Sequence, residues 1–455
     1  MMKGNTRMRH LRNRGVIGAL AVGALALTAC GSTDDPGGTT DATGTPSDGG
    51  AVTLDFWYSV SGVPADTLTD LVDEFNATHD DIAVNAVFQG SYVDSMAKLT
   101  NAVQSGDLPD VIQGGDTFST YLHDTGLTIA PGEVAAVDGT VFDGDDLVPV
   151  LANYYTFDGE LSSVPIMVSQ PVVLYNTGML EAAGIDPSVV PSSITDLFDV
   201  ATAVHETTGT AGLTVFLDPW WSEQFSASEG LTYCTPDNGV GAEPADAFQY
   251  TSDTQIGIWE HLQQLVGAGT MLNTGTDGSA SLTAFASEQA AIMIQSSRIF
   301  GDAERAADFE FGTWPLPIGS PDGGAVPGGN SVWLVDEGRS EAQLAAAATF
   351  VHYLASPEVQ ARIFVETGYL PTSQEALTSL EGEVTDVQQV ALDQLERTTE
   401  SVPSAGCHTG AMNEAREAVK SAVEAVVGGA DIRATWEDAE QRGNDAIADY
   451  LSRLG

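Results

Sequence analysis

Between Val52 and Asp116 the chain changes its hydrophobic period four times, and this alternation limits the fold more than any single residue does. "VTLDFWY", 52–58, reads as a buried strand. In "DTLTDLVDEFNATHDD" the residues Leu68, Leu71, Val72 and Phe75 recur at helical spacing. "IAVNAVF" then alternates Ile82, Val84, Ala86 and Phe88, the period of a half-buried strand. "SYVDSMAKLTNAVQSGD" reads as a helix ended by Gly106 and Pro109, and "PDVIQGGD" as a short strand running into a loop. Strand, helix, strand, helix, strand predicts an α/β fold with a mainly parallel sheet.

A second set of the same kind begins at "VPIMVSQPVVLYN". It continues through "SITDLFDVATAVHETTG", with Leu197, Val200, Ala201 and Val204 on one face, then "GLTVFL", "IGIWEHLQQLVGAG" and "AAIMIQSS". Gly and Pro break the pattern over 319–330, "GSPDGGAVPGGN". After "SVWLV" the chain turns helical to its end, with Ser356 as a helix cap and Pro357 in the first turn. There is no internal repeat.

Five cations (Lys3, Arg7, Arg9, Arg12, Arg14) and no carboxylate precede Cys30, and a twelve-residue apolar run, "VIGALAVGALAL", follows them. That run is too short for a stable bilayer span, and the pattern is that of a secretory signal. It ends in "LTAC", which resembles a bacterial lipobox, and the resemblance implies cleavage before Cys30 and lipidation of that residue. The next twenty residues, "GSTDDPGGTTDATGTPSDGG", are rich in Gly, Ser, Thr, Pro and Asp and, Pro36 and Pro46 apart, hold no apolar side chain larger than alanine, so they predict a flexible tether. Removing five cations leaves 11 Lys+Arg against 64 Asp+Glu, which takes the net charge from -48 to -53. A surface this acidic repels nucleic acid and anionic lipid headgroups. With Cys30 acylated, Cys234 and Cys407 remain, and an oxidising compartment favours one disulfide between them.

Familiar catalytic and metal patterns are absent. "HETTG" at His205 lacks the second histidine of a zinc-protease helix, and there is neither a Gly-x-Ser-x-Gly elbow nor a phosphate loop. "FDGDD", 142–146, lacks the spacing and final Glu of a calcium loop. Neither a metal nor a cofactor is expected.

Several strings carry a resemblance, in one order, over about 53–455. "LDFWYSVSG", "FQGSYVDSMAKL", "SGDLPDVI", "VPIMVSQPVVLYNTGMLEAAGID", "FASEQAAIMIQSS", "GGNSVWLV" and "TGYLPTSQEAL" resemble the bacterial extracellular solute-binding proteins that feed ABC importers. "FWYS", "QGSY", "TGYLP" and "AEQRGNDAI" are similar to the glycerol-3-phosphate and glycerophosphodiester binders of that family. The resemblance implies two lobes with a hinge near 164–172, 325–331 and 366–372 and a ligand cleft between them. It divides the chain into a signal peptide (1–29), a tether (30–51), a first lobe (52–167 with 329–367) and a second lobe (168–328 with 368–455). It implies ligand contacts from Tyr92, Asp116, Ser169, Ser296 or Ser297, Gly329 and Tyr369, with an aromatic wall from Trp220 or Trp221. His408 of "CHTGAM" falls where the phosphate binders carry an arginine, beside an anchoring Cys407, and Arg298 stands where the family has a small residue and could supply a replacement cation. The expected partners are a sugar, polyol or glycerophosphodiester, the transmembrane subunits of an ABC permease, and the membrane through the lipid anchor alone. The protein is expected to be a monomer. A secreted carbohydrate-active hydrolase and a ligand-presenting sensor partner are the competing readings. Cys30→Ala is expected to release the protein from the cell envelope without altering ligand binding, which cell fractionation followed by calorimetry on the released protein measures.

Overall fold

A computed structural model describes residues 51–454. The expected signal peptide, Cys30 and nearly all of the expected tether lie outside the described residues. The remainder forms two lobes, each built on one sheet with helices packed against it.

The first sheet runs in the order Ile82–Phe88, Val52–Tyr58, Val111–Gly115, Gly328–Val335, Thr128–Ile129, and Val164–Ser169 also pairs with Gly328–Val335. Its parallel heart joins Val52–Tyr58 to Ile82–Phe88 and to Val111–Gly115. The helix Val63–Thr78 buries Leu68, Leu71, Val72 and Phe75 against Leu54, Phe56, Ile82 and Val84 of that heart. Each such side chain contributes about 1.5–3 kcal/mol on burial. The helix Tyr92–Ser105 starts at a capping box, in which Ser91 and Asp94 satisfy each other's backbone N–H groups. It stops at Gly106, whose φ of 83° is left-handed. The spacing of these elements sets Tyr92 at a helix start and Asp116 just past a strand end, on the same edge of the sheet.

The second sheet runs Met271–Leu272, Ala211–Thr214, Ala290–Ser296, Pro171–Asn176, Phe311–Pro315. Its core takes Leu197, Phe198, Ala201 and Val204 from the helix Ile194–Thr208 and Trp259 and Leu262 from Asp253–Ala268. Val419, Val423 and Val426 of the helix Met412–Val427 join the same core.

The expected predominance of parallel pairs is corrected to a mixed arrangement. Gly328–Val335 is antiparallel to all three of its neighbours, and Pro171–Asn176 is antiparallel to both of its own. Both strands follow crossings from one lobe to the other, and each runs through its sheet against the direction of the parallel pairs.

The crossings touch one another. Gly329 pairs with Val168, and Leu370 donates its N–H to Val168 O at 2.7 Å. A Cβ on Gly329 would stand 2.2 Å from Met167 O, at a φ of +107°, so only glycine fits there. Buried amides stitch the segments together. Gln170 Nε2 donates to Ala325 O at 3.0 Å, Gln394 Nε2 donates to Pro171 O at 2.9 Å, and Gln224 exchanges two bonds with the backbone of Val326.

Cys234 and Cys407 are bonded, with a sequence separation of 173. The bond ties the loop before the helix Met412–Val427 to the second lobe. Replacing both cysteines with alanine is expected to lower stability by on the order of 5 kcal/mol, from the loop entropy released in the unfolded chain. Urea denaturation with and without reductant measures the loss, and thiol titration of the oxidised, denatured protein should find neither cysteine free.

Candidate functional site

The ends of both sheets meet at a cleft of about 230 Å3 lined by Tyr92, Asp116, Ser169, Phe216, Asp218, Trp220, Gln295, Ser296, Arg298, Gly328, Gly329, Tyr369 and Arg416. Larger hollows of about 490 and 560 Å3 lie elsewhere on the described surface, one beside His79 and His352 and one beside Pro315 and Ile318. Neither brings an arginine and a carboxylate together, so the smaller cleft is the candidate.

Strand ends explain why these side chains converge. Asp116 follows Val111–Gly115, Ser169 ends Val164–Ser169, and Ser296 ends Ala290–Ser296. Such positions point polar groups away from a buried sheet into the space beyond it. Two glycines let aromatic rings lie close to the backbone. A Cβ on Gly115 would stand 2.8 Å from the Tyr92 ring, and one on Gly328 would stand 2.8 Å from the Trp220 indole. The Tyr92 hydroxyl accepts from Asn330 Nδ2 at 2.9 Å, and Asn330 Oδ1 in turn accepts from Gln113 Nε2 at 3.0 Å. The hydroxyl proton of Tyr92 is thereby left to donate elsewhere. Burial holds that phenol well above its ordinary pKa, so it remains a donor.

Charge is concentrated on one guanidinium. Arg416 Nη2 donates to Glu223 Oε2 at 2.7 Å and to Asp116 Oδ2 at 3.2 Å. Burial opposes charge on Arg416, but Asp116 and Glu223 outweigh it and hold its pKa above the ordinary arginine value. Glu223 is 2% exposed, and its other oxygen accepts from Cys407 N–H at 2.9 Å. Burial raises the pKa of Glu223 against the pull of Arg416 and of that N–H. Asp218 is raised in the same way, with Trp220 N–H donating to it at 2.8 Å. Arg298 forms no ion pair with any of the described residues.

Several buried polar atoms around this space have no hydrogen-bond partner among the described residues: Trp220 Nε1, Gln295 Nε2, Ser296 Oγ and Arg416 Nε. Each costs about 1–3 kcal/mol if it stays unpaired. All but the serine hydroxyl are donors only, and they face the same cleft, so the arrangement suits a ligand rich in oxygen acceptors. Asp116 and Asp218 supply acceptors for hydroxyl protons, and Trp220, Phe216, Tyr92 and Tyr369 supply aromatic surface.

Of the residues expected from sequence, Tyr92, Asp116, Ser169, Trp220, Ser296, Arg298, Gly329 and Tyr369 line the cleft together. Three do not. Trp221 turns into the second core, where its Nε1 donates to Phe216 O at 2.7 Å. Ser297 is fully buried, with its N–H on Gln170 O at 2.9 Å. His408 does not line this cleft: its backbone N–H is held by Asn238 O at 2.8 Å and its ring packs 5.1 Å from Tyr154 and 5.2 Å from Phe157. Sequence reasoning missed Phe216, Asp218, Gln295, Gly328 and Arg416. Gln295 carried a signal, being an amide inside the otherwise apolar strand "AAIMIQS". No group of residues suited to hold a metal ion occurs among the described residues.

Residues 70–391 match the profile of the family described as bacterial extracellular solute-binding protein. The chain is 27% identical over 413 residues to the sn-glycerol-3-phosphate-binding periplasmic protein UgpB of Rhizobium meliloti (strain 1021), covering 88% of this chain and 95% of that one. Among solved structures, UgpB from Mycobacterium tuberculosis in complex with glycerophosphocholine superposes with a TM-score of 0.70 at 20% identity, covering 88% of this chain and 100% of that one. The GacH receptor of Streptomyces glaucescens GLA.O, solved unliganded and with acarbose, gives 0.72 at 22% identity, with coverage of 88% and 99%. These likenesses extend the fold over both lobes.

The His408 environment generates a pH prediction. Burial pushes the ring down to about 4, against a weak bond between Nε2 and Ala405 O at 3.2 Å. The unfolded chain therefore takes up a proton first as pH falls, near the ordinary value of about 6.5. The stability tied to the neutral ring is full above that value and is lost as pH falls toward about 4, by at most about 3 kcal/mol. Urea denaturation at about pH 7 and about pH 4.5 should show a smaller acid loss in His408→Gln than in the wild type.

Proposed function

The chain belongs to the bacterial extracellular solute-binding protein family, and we propose that it is the receptor of an ABC importer for a small hydroxylated solute, a sugar, a polyol or a glycerophosphodiester. The observation that carries this reading is the cleft itself, where Asp116 and Asp218 accept, Arg298 remains without an ion-pair partner, and four buried polar atoms stand unpaired. Its volume of about 230 Å3 lies below the usual ~300–1,000 Å3 of ligand cavities, which favours a compact ligand over a long oligosaccharide. The names of the relatives, a glycerol-3-phosphate binder, a protein crystallised with glycerophosphocholine and one crystallised with acarbose, support the same chemical range.

In this reading the lobes, 52–167 with 329–367 and 168–328 with 368–455, close over the ligand about the crossings. Closure excludes water and strengthens each bond to a hydroxyl or phosphoryl oxygen. The protein is anchored by lipid at Cys30, acts as a monomer and hands its ligand to a permease. No helix among the described residues is long and apolar enough to cross a membrane.

Isothermal calorimetry with glucose, maltose, glycerol, glycerol-3-phosphate and glycerophosphocholine tests the reading. At least one should bind with one site per chain. At 100 times its dissociation constant that ligand should add roughly 2.7 kcal/mol of stability. Asp116→Ala should weaken it by roughly 1.5–3 kcal/mol, the worth of a hydrogen bond to a charged group. Hydrolysis of a bound compound during the titration would favour the hydrolase reading, and failure of all five to bind would overturn the proposed ligand class.

A further inference from the structure

Glu223 does not line the cleft, yet it holds the cation that does. Its Oε2 takes the shorter of the two bonds from Arg416 Nη2, 2.7 Å against 3.2 Å to Asp116. Its Oε1 is fixed by the N–H of Cys407, which the bond to Cys234 ties in place. A carboxylate held from behind by that N–H pairs with the guanidinium on its other oxygen and cancels its charge.

The local charge count makes this consequential. The cleft presents two carboxylates, Asp116 and Asp218, and two guanidiniums, Arg298 and Arg416. Lys420, one turn beyond Arg416, acts on Asp218 from the same helix. With Glu223 ionised behind Arg416, Arg298 is the cleft cation left without an ion pair among the described residues. A phosphate monoester brings up to about two negative charges near neutral pH and a diester brings one. One unpaired arginine can meet the diester; the monoester needs two cations in a chain of net charge -48.

We propose that Glu223 is a specificity-determining residue that acts through Arg416: it neutralises the second cleft arginine and so restricts the site to uncharged or singly charged hydroxylated solutes. The inference rests on the cleft being the solute site.

The test compares Kd values for glycerol-3-phosphate with those for glycerophosphocholine, glucose and maltose. The wild type should bind one of the latter three more tightly than glycerol-3-phosphate. In Glu223→Gln, a near-isosteric change that removes the charge, the affinity for glycerol-3-phosphate relative to that wild-type ligand should rise at least tenfold. The gain should shrink as salt is raised. A purely structural role would weaken both ligands and leave their ratio in place. If Glu223→Gln does not fold, the double variant Glu223→Gln/Arg416→Gln removes the cation and its counter-charge together and must leave the ratio near its wild-type value, because the proposal holds that the two already cancel. A wild type that binds none of these four compounds, nor glycerol, defeats the solute-site reading and this inference with it. A wild type that binds one of them but prefers glycerol-3-phosphate, a ratio that fails to rise in Glu223→Gln, or a ratio that falls in the double variant overturns the inference alone.

Discussion

The guanidinium of Arg416, set between Asp116 and Glu223, is the interaction on which the cleft depends. Asp116 comes from the end of a first-lobe strand, Glu223 from a helix packed in the second-lobe core, and Arg416 from a third element near the C-terminus. Carboxylates outnumber cations fourfold in this chain, 64 to 16, so most acids must rely on water for their solvation. Glu223 has no access to water. Removing one partner from such a buried pair typically costs 3–5 kcal/mol, because the other charge is left uncompensated. Glu223 and Arg416 both belong to helices of the second core, and the longer bond from Arg416 Nη2 to Asp116, 3.2 Å, is the one that reaches across to the end of a first-lobe strand. The disulfide adds to this by holding Cys407, whose N–H completes the Glu223 site.

Much of the fold was legible because burial has a period. The switches between helical and strand spacing from Val52 to Gly115 mark elements whose inward faces, Leu68 and Phe75 on a helix or Ile82 and Val84 on a strand, pack into one core. The direction of pairing was not legible. Residues 171–176 and 328–335 are as apolar as any parallel strand, and their antiparallel pairing follows from the path of the chain between lobes, which leaves no trace in local composition.

The site divided along the same line. Asp116, Ser169 and Ser296 were readable as polar residues closing apolar strands. Arg416 was not, because "MNEAREAVKSAVEAVV" is an amphipathic helix in which a cation reads as part of the solvated face. It sits four residues after Met412 and three before Val419, on the border of the buried stripe, and only the approach of Asp116 and Glu223 turns that border into a site. His408 lies outside the cleft for a different reason. Its neighbours in sequence suggested a ligand contact, while the backbone bond to Asn238 turns its ring toward Tyr154 and Phe157.

The crossings between lobes are stitched with neutral amides. Gln170, Gln224 and Gln394 are joined there by Gln360, which donates to Ile166 O and accepts from Thr372, and by the Gln113–Asn330 pair. None of these groups titrates, and none collects counter-ions. Ionic strength screens charges beyond a Debye length of about 8 Å in physiological salt, but it leaves short amide hydrogen bonds as they are. The charge-dense outer surface and the cleft arginines, Arg298 and Arg416, are exposed to such screening. The amide contacts at the crossings are insulated from it, so salinity and acidity act on the meeting of the lobes through the Arg416–Asp116 pair and not through the crossings.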